Sequence, residues 1–304
     1  MNDTVHALAP PVRHPAPLAI AENAGQGARR ETIENSLLAA VPRKEYRRLA
    51  AGLELVTLRF GEVLYEPGDT IRHVYFPNKA LISLLTLADG HLALEVGLIG
   101  REGMVGIPLV LGHTVSSVRA LVQGSGTAMR MAAARFRKEF RLSPPLQREL
   151  YRYTHSLMAQ ISQTAACNRF HVVETRLARW LLMTHDRVKS DEFRMTHEFL
   201  SHMLGVRRVG VTKAAHALQQ RKLISYHRGD ITVLDRKGLE AAACECYEVV
   251  KDMHDGAHTN VPGHSSAPAP RKGNGNGRAE HSHDDGVNSG TNSPLQNADG
   301  ESGQ

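Results

Sequence analysis

Arg207, Arg208, Thr212 and Lys213 crowd one short segment, and His227 and Arg228 follow soon after. Side chains of these types recognise anions. An Arg head can take the O6 and N7 atoms of a guanine edge with its two prongs, while Lys and Thr hold phosphate oxygens or touch base edges. Over residues 196–240 the cations are Arg207, Arg208, Lys213, Arg221, Lys222, Arg228, Arg236 and Lys237, against the acids Glu198, Asp230, Asp235 and Glu240. The positive excess collects on one unit, as a nucleic-acid footprint requires. The chain offers little for covalent chemistry. It has no nucleotide-binding Gly loop, no nucleophile elbow and no His/Glu zinc motif, so an enzyme is not expected.

Three cysteines, Cys167, Cys244 and Cys246, are the other reactive groups. An odd number without a leader reads as reduced and intracellular. Cys244 and Cys246 form a C-x-C pair able to bind a metal or respond to oxidation. Two ligands do not close a zinc site, so no metal and no cofactor is expected. His73, His91 and His113 read as surface or internally satisfied residues rather than haem ligands.

The basic segment needs elements to hold it. Thr196 can cap a helix whose first turn carries Glu198 and whose apolar face is Phe199, Leu200, Met203 and Leu204. Gly205 then breaks that helix and suits a sharp turn. A second helix opens near Arg207 or Arg208 and runs to about Arg221, with Val211, Ala214, Ala215 and Leu218 inward. Leu223–Leu234 holds two β-type runs around Arg228-Gly229-Asp230, a short hairpin whose tip presents His227 and Arg228.

Upstream, residues 53–131 are of β type. Val56, Leu58 and Phe60 alternate with Thr57 and Arg59, and Asp89-Gly90 is a hairpin signal between two apolar runs. Many short strands with closely spaced turns suggest a small barrel or roll. Ala132–Phe140 is a short helix. Pro144-Pro145 opens a longer one to about Ala166, on which Leu146, Leu150, Tyr153, Leu157 and Ile161 recur at three- and four-residue steps. That stripe suits either a subunit seam or the chain's own β-domain, and the seam is the expectation. His171–Arg187 is a linking helix. The first 30 residues lack a period, and residues 255–304 are too polar to offset the entropy of ordering, so both are expected to be disordered.

At 304 residues the chain has room for two domains, and its net charge of +6 is weak evidence by itself. No apolar stretch approaches the roughly 20 residues of a spanning helix, so no membrane is expected and the location is expected to be cytoplasmic.

Two regions resemble the Crp/Fnr superfamily of transcription regulators. Gly61-Glu-Val-Leu-Tyr-Glu-Pro-Gly-Asp69 is similar to the opening of that family's cyclic-nucleotide-binding-type β-roll, and Thr196–Leu234 to its winged helix. The resemblance covers about residues 35–250. It implies that Arg208 reads bases, that Lys213 is a second basic contact and that Thr196 meets a phosphate. Val209 stands where many members have a Glu that accepts from a base, so the operator should differ. In the roll, Gly106-Ile107-Pro108 lacks the carboxylate that holds a cyclic nucleotide's sugar. Thr114-Val115 stands in place of the Arg-Ser pair for its phosphate, and Arg119 falls on the opposite strand face. No Cys lies in residues 1–50 to hold an iron–sulfur centre.

The expectation is therefore an α+β protein. Residues 1–30 form an arm, 31–143 a jelly-roll-like sensor, 144–168 a dimerisation helix, 169–250 a winged helix-turn-helix and 255–304 a tail. Its expected function is sequence-specific DNA binding as a homodimer, with RNA polymerase a further candidate partner and an effector other than cyclic AMP, or none. The alternative is a sensor or adaptor whose C-terminal helices contact a protein.

Overall fold

The structure, a computed structural model, describes residues 33–88, 92–188 and 190–258. Two short helices, α1 (Ser36–Ala40) and α2 (Arg43–Ala50), precede seven strands: β1 (Glu54–Leu58), β2 (Val63–Tyr65), β3 (His73–Pro77), β4 (Leu81–Ala88), β5 (Leu92–Ile99), β6 (Arg119–Gly124) and β7 (Gly126–Ala132). Then come α3 (Ala133–Leu142), α4 (Pro144–Phe170), α5 (Val173–Val188), β8 (Glu192–Arg194), α6 (His197–Leu204), α7 (Arg208–Gln220), β9 (Ile224–His227), β10 (Asp230–Val233), α8 (Arg236–Ala242) and α9 (Cys246–His258). The expected N-terminal arm and most of the tail lie outside the described residues, as does the Asp89-Gly90 turn; the strands on either side of that turn do pair antiparallel.

The roll consists of two antiparallel sheets, in the orders β1-β7-β3 and β2-β6-β4-β5. Between them lies a core that includes Val74, Phe76, Ile82, Ile99, Met104, Val105 and Val122. Leu58 is buried in it, but Phe60 lies past the end of β1 and stays 48% exposed. Its ring sits 5.6 Å from that of Phe199 on α6, so it serves a joint between two parts of the chain rather than the core.

Ser143 caps α4 by accepting from Leu146 N–H, and Pro144 and Pro145 occupy first-turn positions where a missing N–H is harmless. The helix then runs for 27 residues. Its stripe of Leu146, Leu150, Tyr153, Leu157 and Ile161 corrects the expected subunit seam. The first four side chains are 5% exposed or less within this one chain, packed with the roll core, and Ile161 leans on the same cluster. Side chains already buried at home cannot form an interface. Glycines make that fit possible: a Cβ at Gly103 would collide with the Tyr153 ring, and one at Gly97 would lie 3.2 Å from Leu157 Cδ1. The other face of α4 stays open, with Tyr151 53% and Met158 60% exposed.

A second core joins Leu81, Leu85 and Leu98 of the roll to Leu177, Trp180 and Leu181 of α5 and to the apolar sides of α6, α7 and the last sheet. Beneath it runs a buried polar chain in which Trp180 Nε1–H donates to Glu95 Oε1 at 2.9 Å and Ser83 Oγ meets Glu95 Oε2 at 2.6 Å. Ser83 in turn bonds Gln123. Burial, opposed by the Ser83 and Trp180 bonds, pushes the Glu95 carboxyl up to about 7.

Candidate nucleic-acid interface

Thr196 Oγ1 accepts from Phe199 N–H at 3.1 Å, which starts α6 where the cap residue predicts. Leu200, Met203 and Leu204 turn inward. Gly205 ends the helix at φ 60°, ψ 41°, donating its N–H to the carbonyls of His202 and Ser201. A side chain there would be strained by the backbone and would also press within 2.7 Å of Leu94 Cδ1 on β5. One Gly thus makes both the turn of the motif and its close seat on the roll.

The second helix, α7, buries Val211, Ala214, Ala215 and Leu218. Its N-cap residue, Arg207, supplies no side-chain bond to the first turn. Backbone N–H groups and the positive end of the helix dipole are therefore left for an anion. Arg207, Arg208, Val209, Thr212, Lys213, His216 and Gln220 are exposed. Arg207, Arg208 and Lys213 have no ion-pair partner among the described carboxylates, whereas Arg221 is drawn to Glu174 at 3.1 Å and Arg236 to Asp186 at 2.7 Å.

Thr212 is exposed on α7 as the sequence places it, and it is also engaged within the protein. Its hydroxyl meets His197 Nδ1 at 3.1 Å and donates to Arg208 O at 3.1 Å, so it fastens α7 to α6. His197 also packs edge-on to Tyr226, with ring centroids 4.4 Å apart. Burial, and then the Arg208 charge, lower the His197 pKa, so this imidazole stays neutral near pH 7. His216 and Gln220 share the exposed stripe with Val209 and Lys213 by helical spacing, and the sequence reading missed both. The i, i+3, i+4 repeat starting from Val209 could have found them.

The wing is the β9–β10 hairpin, with β8 along its other edge. His227 pairs with Asp230, leaving Arg228 (φ 51°) and Gly229 (φ 94°) as the two central residues. Both are left-handed, as a tight hairpin of this length demands. The wing is anchored where Met195 N–H donates to Gly229 O at 2.6 Å and Tyr226 Oη donates to Met195 O at 2.8 Å. His227 and Arg228 point to solvent at its tip. Arg194, which the sequence reading also passed over, stands next to it on β8, 3.8 Å from Asp230 and otherwise open. Arg207, Arg208, Lys213, Thr196, His227 and Arg228 therefore all reach the surface of one winged helix-turn-helix unit.

No helix among the described residues is long and apolar enough to cross a membrane. Among proteins of curated function no match to the chain is found. The sequence family described as the Crp-like helix-turn-helix domain matches residues 175–242. Similar solved structures include a transcriptional regulator of the Crp/Fnr family from Eubacterium rectale, 16% identical with a TM-score of 0.54, covering 68% of this chain and 96% of that one. The c-di-GMP-responsive global regulator CLP of Xanthomonas campestris is 18% identical with a TM-score of 0.53, covering 63% of this chain and 99% of that one. FixK2 from Bradyrhizobium japonicum is 13% identical with a TM-score of 0.55, covering 63% and 98%. A Crp-like helix-turn-helix domain thus spans residues 175–242, and the chain shares the fold of these solved structures over nearly the whole length of each.

Proposed function

We propose that this chain is a homodimeric, sequence-specific DNA-binding regulator in which α7 lies in the major groove. The observation that carries the reading is the unpaired basic N-terminal half of α7, set beside a wing with a further exposed Arg at its tip. Arg208 is the base reader, Lys213 and Arg207 support it, Thr196 donates its hydroxyl to a phosphate, and His227 and Arg228 track the flanking backbone. Thr212 contributes by holding α7 in place. Val209 brings an apolar contact where a carboxylate would accept from a base, which favours a thymine methyl.

The subunit seam of this proposal is the open face of α4. Arg148, Tyr151, His155, Met158, Ser162 and Ala165 are exposed and recur at alternating four- and three-residue steps, the spacing of two helices in register. Paired that way, residues 144–168 would join two sensors (31–143) and two readers (169–250), and the recognition helices would have to lie about 34 Å apart to enter successive grooves. RNA polymerase is then the downstream partner of the bound dimer. In this proposal the roll takes an effector other than cyclic AMP, or none. Arg119, the cation nearest in sequence to a phosphate site, is already held by Glu66 at 2.8 Å, and Leu157 and Tyr153 of α4 sit tight on Gly97 of β5 and on Gly103 in the turn after it.

Footprinting on the protein's own promoter over a salt series tests this, with wild type beside Arg208→Ala. A palindromic site protected by wild type, with a loss of roughly 1–3 kcal/mol in the variant and unchanged non-specific binding, supports the reading. Equal, purely salt-sensitive binding by both would sink it and favour a protein partner for α7.

A further inference from the structure

Cys167 lies in the last turn of α4 and His171 is its C-cap, whereas Cys244 and Cys246 lie at the start of α9, more than 70 residues further along the chain. The fold brings all four together. Cys167 Sγ and Cys244 Sγ are 3.5 Å apart, and Cys246 Sγ lies 3.4 Å from His171 Nδ1. The four donor atoms all lie within 4.8 Å of one another. The three thiols are free and buried. Together they are every cysteine in the chain.

We propose that Cys167, His171, Cys244 and Cys246 bind one zinc ion, which ties the end of α4 to the C-terminal segment after the wing. The distances favour a single ion. Donors about 2.0–2.3 Å from one tetrahedral centre stand within 4 Å or so of each other, as these nearly do. A cubane iron–sulfur cluster would spread its thiolates further, because irons and sulfides lie between them. Three sulfurs and one imidazole make a soft donor set of the kind that selects zinc among common divalent ions. On binding, the three thiols enter as thiolates and their protons leave to solvent.

The surroundings suit an anionic centre. Gln163 Nε2–H points at Cys246 Sγ at 3.0 Å, and His171 turns its other nitrogen to Glu245 Oε1 at 3.5 Å, the outer partner that a ligating His usually has. Arg176 and Arg179 are 7% and 6% exposed and line the same small cavity as Cys167. Their bonds go to neutral groups: Arg176 to Asn168 and the Leu204 carbonyl, and Arg179 to Thr164. Neither has an ion-pair partner among the described carboxylates. Three thiolates on a divalent ion leave one net negative charge, which would offset part of this buried positive charge.

The site is independent of the DNA-binding reading, and its test does not use DNA. The full chain is purified under reducing conditions, exposed to zinc, desalted and analysed for metal. About one zinc per chain is expected, and none in the Cys244→Ser/Cys246→Ser chain. His171→Ala should weaken retention against a competing chelator by at least the roughly 10–100-fold that even outer-shell changes cost. Cobalt added to metal-free wild type should give the intense visible bands of a tetrahedral thiolate complex. If the serine variant fails to fold, the cobalt spectrum of wild type decides by itself. Wild type that retains no zinc and shows no such bands overturns the proposal. So does iron with acid-labile sulfide in its place, or a Cys167–Cys244 disulfide in the metal-free protein as isolated, or zinc retained undiminished by the serine variant.

Discussion

Arg119 and Arg130 are the cations carried by the roll's seven strands, and each is closed off by a carboxylate: Glu66 at 2.8 Å for the first and Glu54 at 2.8 Å for the second. In the winged helix, Arg207, Arg208, Lys213 and Arg228 stand exposed without such partners. A Lys or Arg side chain on a protein surface does not by itself mark a binding site; many are solvated or internally paired. A set of unpaired cations on a helix N-terminus and a neighbouring hairpin tip does, because a polyanion then meets charge that nothing in the protein has neutralised. The roll's strands have spent their two cations on pairs within the roll, although Arg59 and Arg72 in its loops are exposed, and the winged helix has left its cations free.

The largest test of that contrast lies where the two regions join. Glu102, in the turn after β5, binds Arg187 of α5 at 2.7 Å, with side chains 15% and 7% exposed. Removing Glu102 takes the facing carboxylate from a mostly buried guanidinium, which keeps its bond to the Met183 carbonyl. Glu102→Ala should therefore lower unfolding free energy by about 3–5 kcal/mol in urea titrations. Arg119→Ala, on the half-open Glu66 pair, should change it by about 1 kcal/mol at most and leave DNA affinity unaltered. A large effect of Arg119→Ala on DNA binding would mean that the roll's cations are not the closed structural pairs described above.

Next comes pH. Glu95 rises from its ordinary 4.5 to about 7 in the fold. Over that interval the folded state keeps a proton that the unfolded chain has released. Stability should thus fall as pH rises from about 4.5 to about 7, by on the order of 3 kcal/mol, and be level above. Glu95→Gln keeps an acceptor for Trp180 and a donor for Ser83 without a charge to bury. It should flatten that slope and raise Tm at pH 8. An unchanged slope would remove Glu95 as its source.

Local rules made much of the reader legible in sequence. Thr196 as cap, Gly205 as left-handed stop and the two-residue turn before Asp230 are each set by neighbours within a few positions. What escaped depended on distant partners. The apolar repeat on α4 is real, but a helix of 27 residues carries two usable stripes, and spacing alone does not say which one meets the roll. Leu146 and Leu150 do, and Tyr151 and Met158 do not. Cys244 and Cys246 seemed short of ligands because Cys167 and His171 arrive from the far end of another helix. Helices α1 and α2, at 5 and 8 residues, are too short to show a period above their surroundings.

A smaller change sits at the start of the reader. Thr196→Ala removes the bond to Phe199 N–H and leaves a first-turn donor open. A loss of about 1 kcal/mol in stability is expected. If Thr196 also meets a phosphate, DNA affinity should fall beyond what the stability loss explains, uniformly across sequences. Thr196→Ser should restore both, and a restored cap without restored affinity would count against the phosphate contact.

The smallest expected effect, and the sharpest on charge, is at the wing tip. Arg228 sits at φ 51°, so alanine or glycine there would change backbone cost as well as charge. Arg228→Gln keeps a side chain of similar reach and the same backbone demand, and it removes only the cation. If Arg228 holds one phosphate, the slope of log affinity against log salt should become shallower by about 1, equally for specific and non-specific DNA. The ratio between the two sites should not move, because a phosphate contact carries no sequence information. The same substitution at Arg208 should do the reverse, cutting the ratio more than the slope. Should Arg228→Gln alter the ratio instead, the wing would be reading bases, and the division of the reader into a base-reading helix and a phosphate-holding hairpin would have to be redrawn.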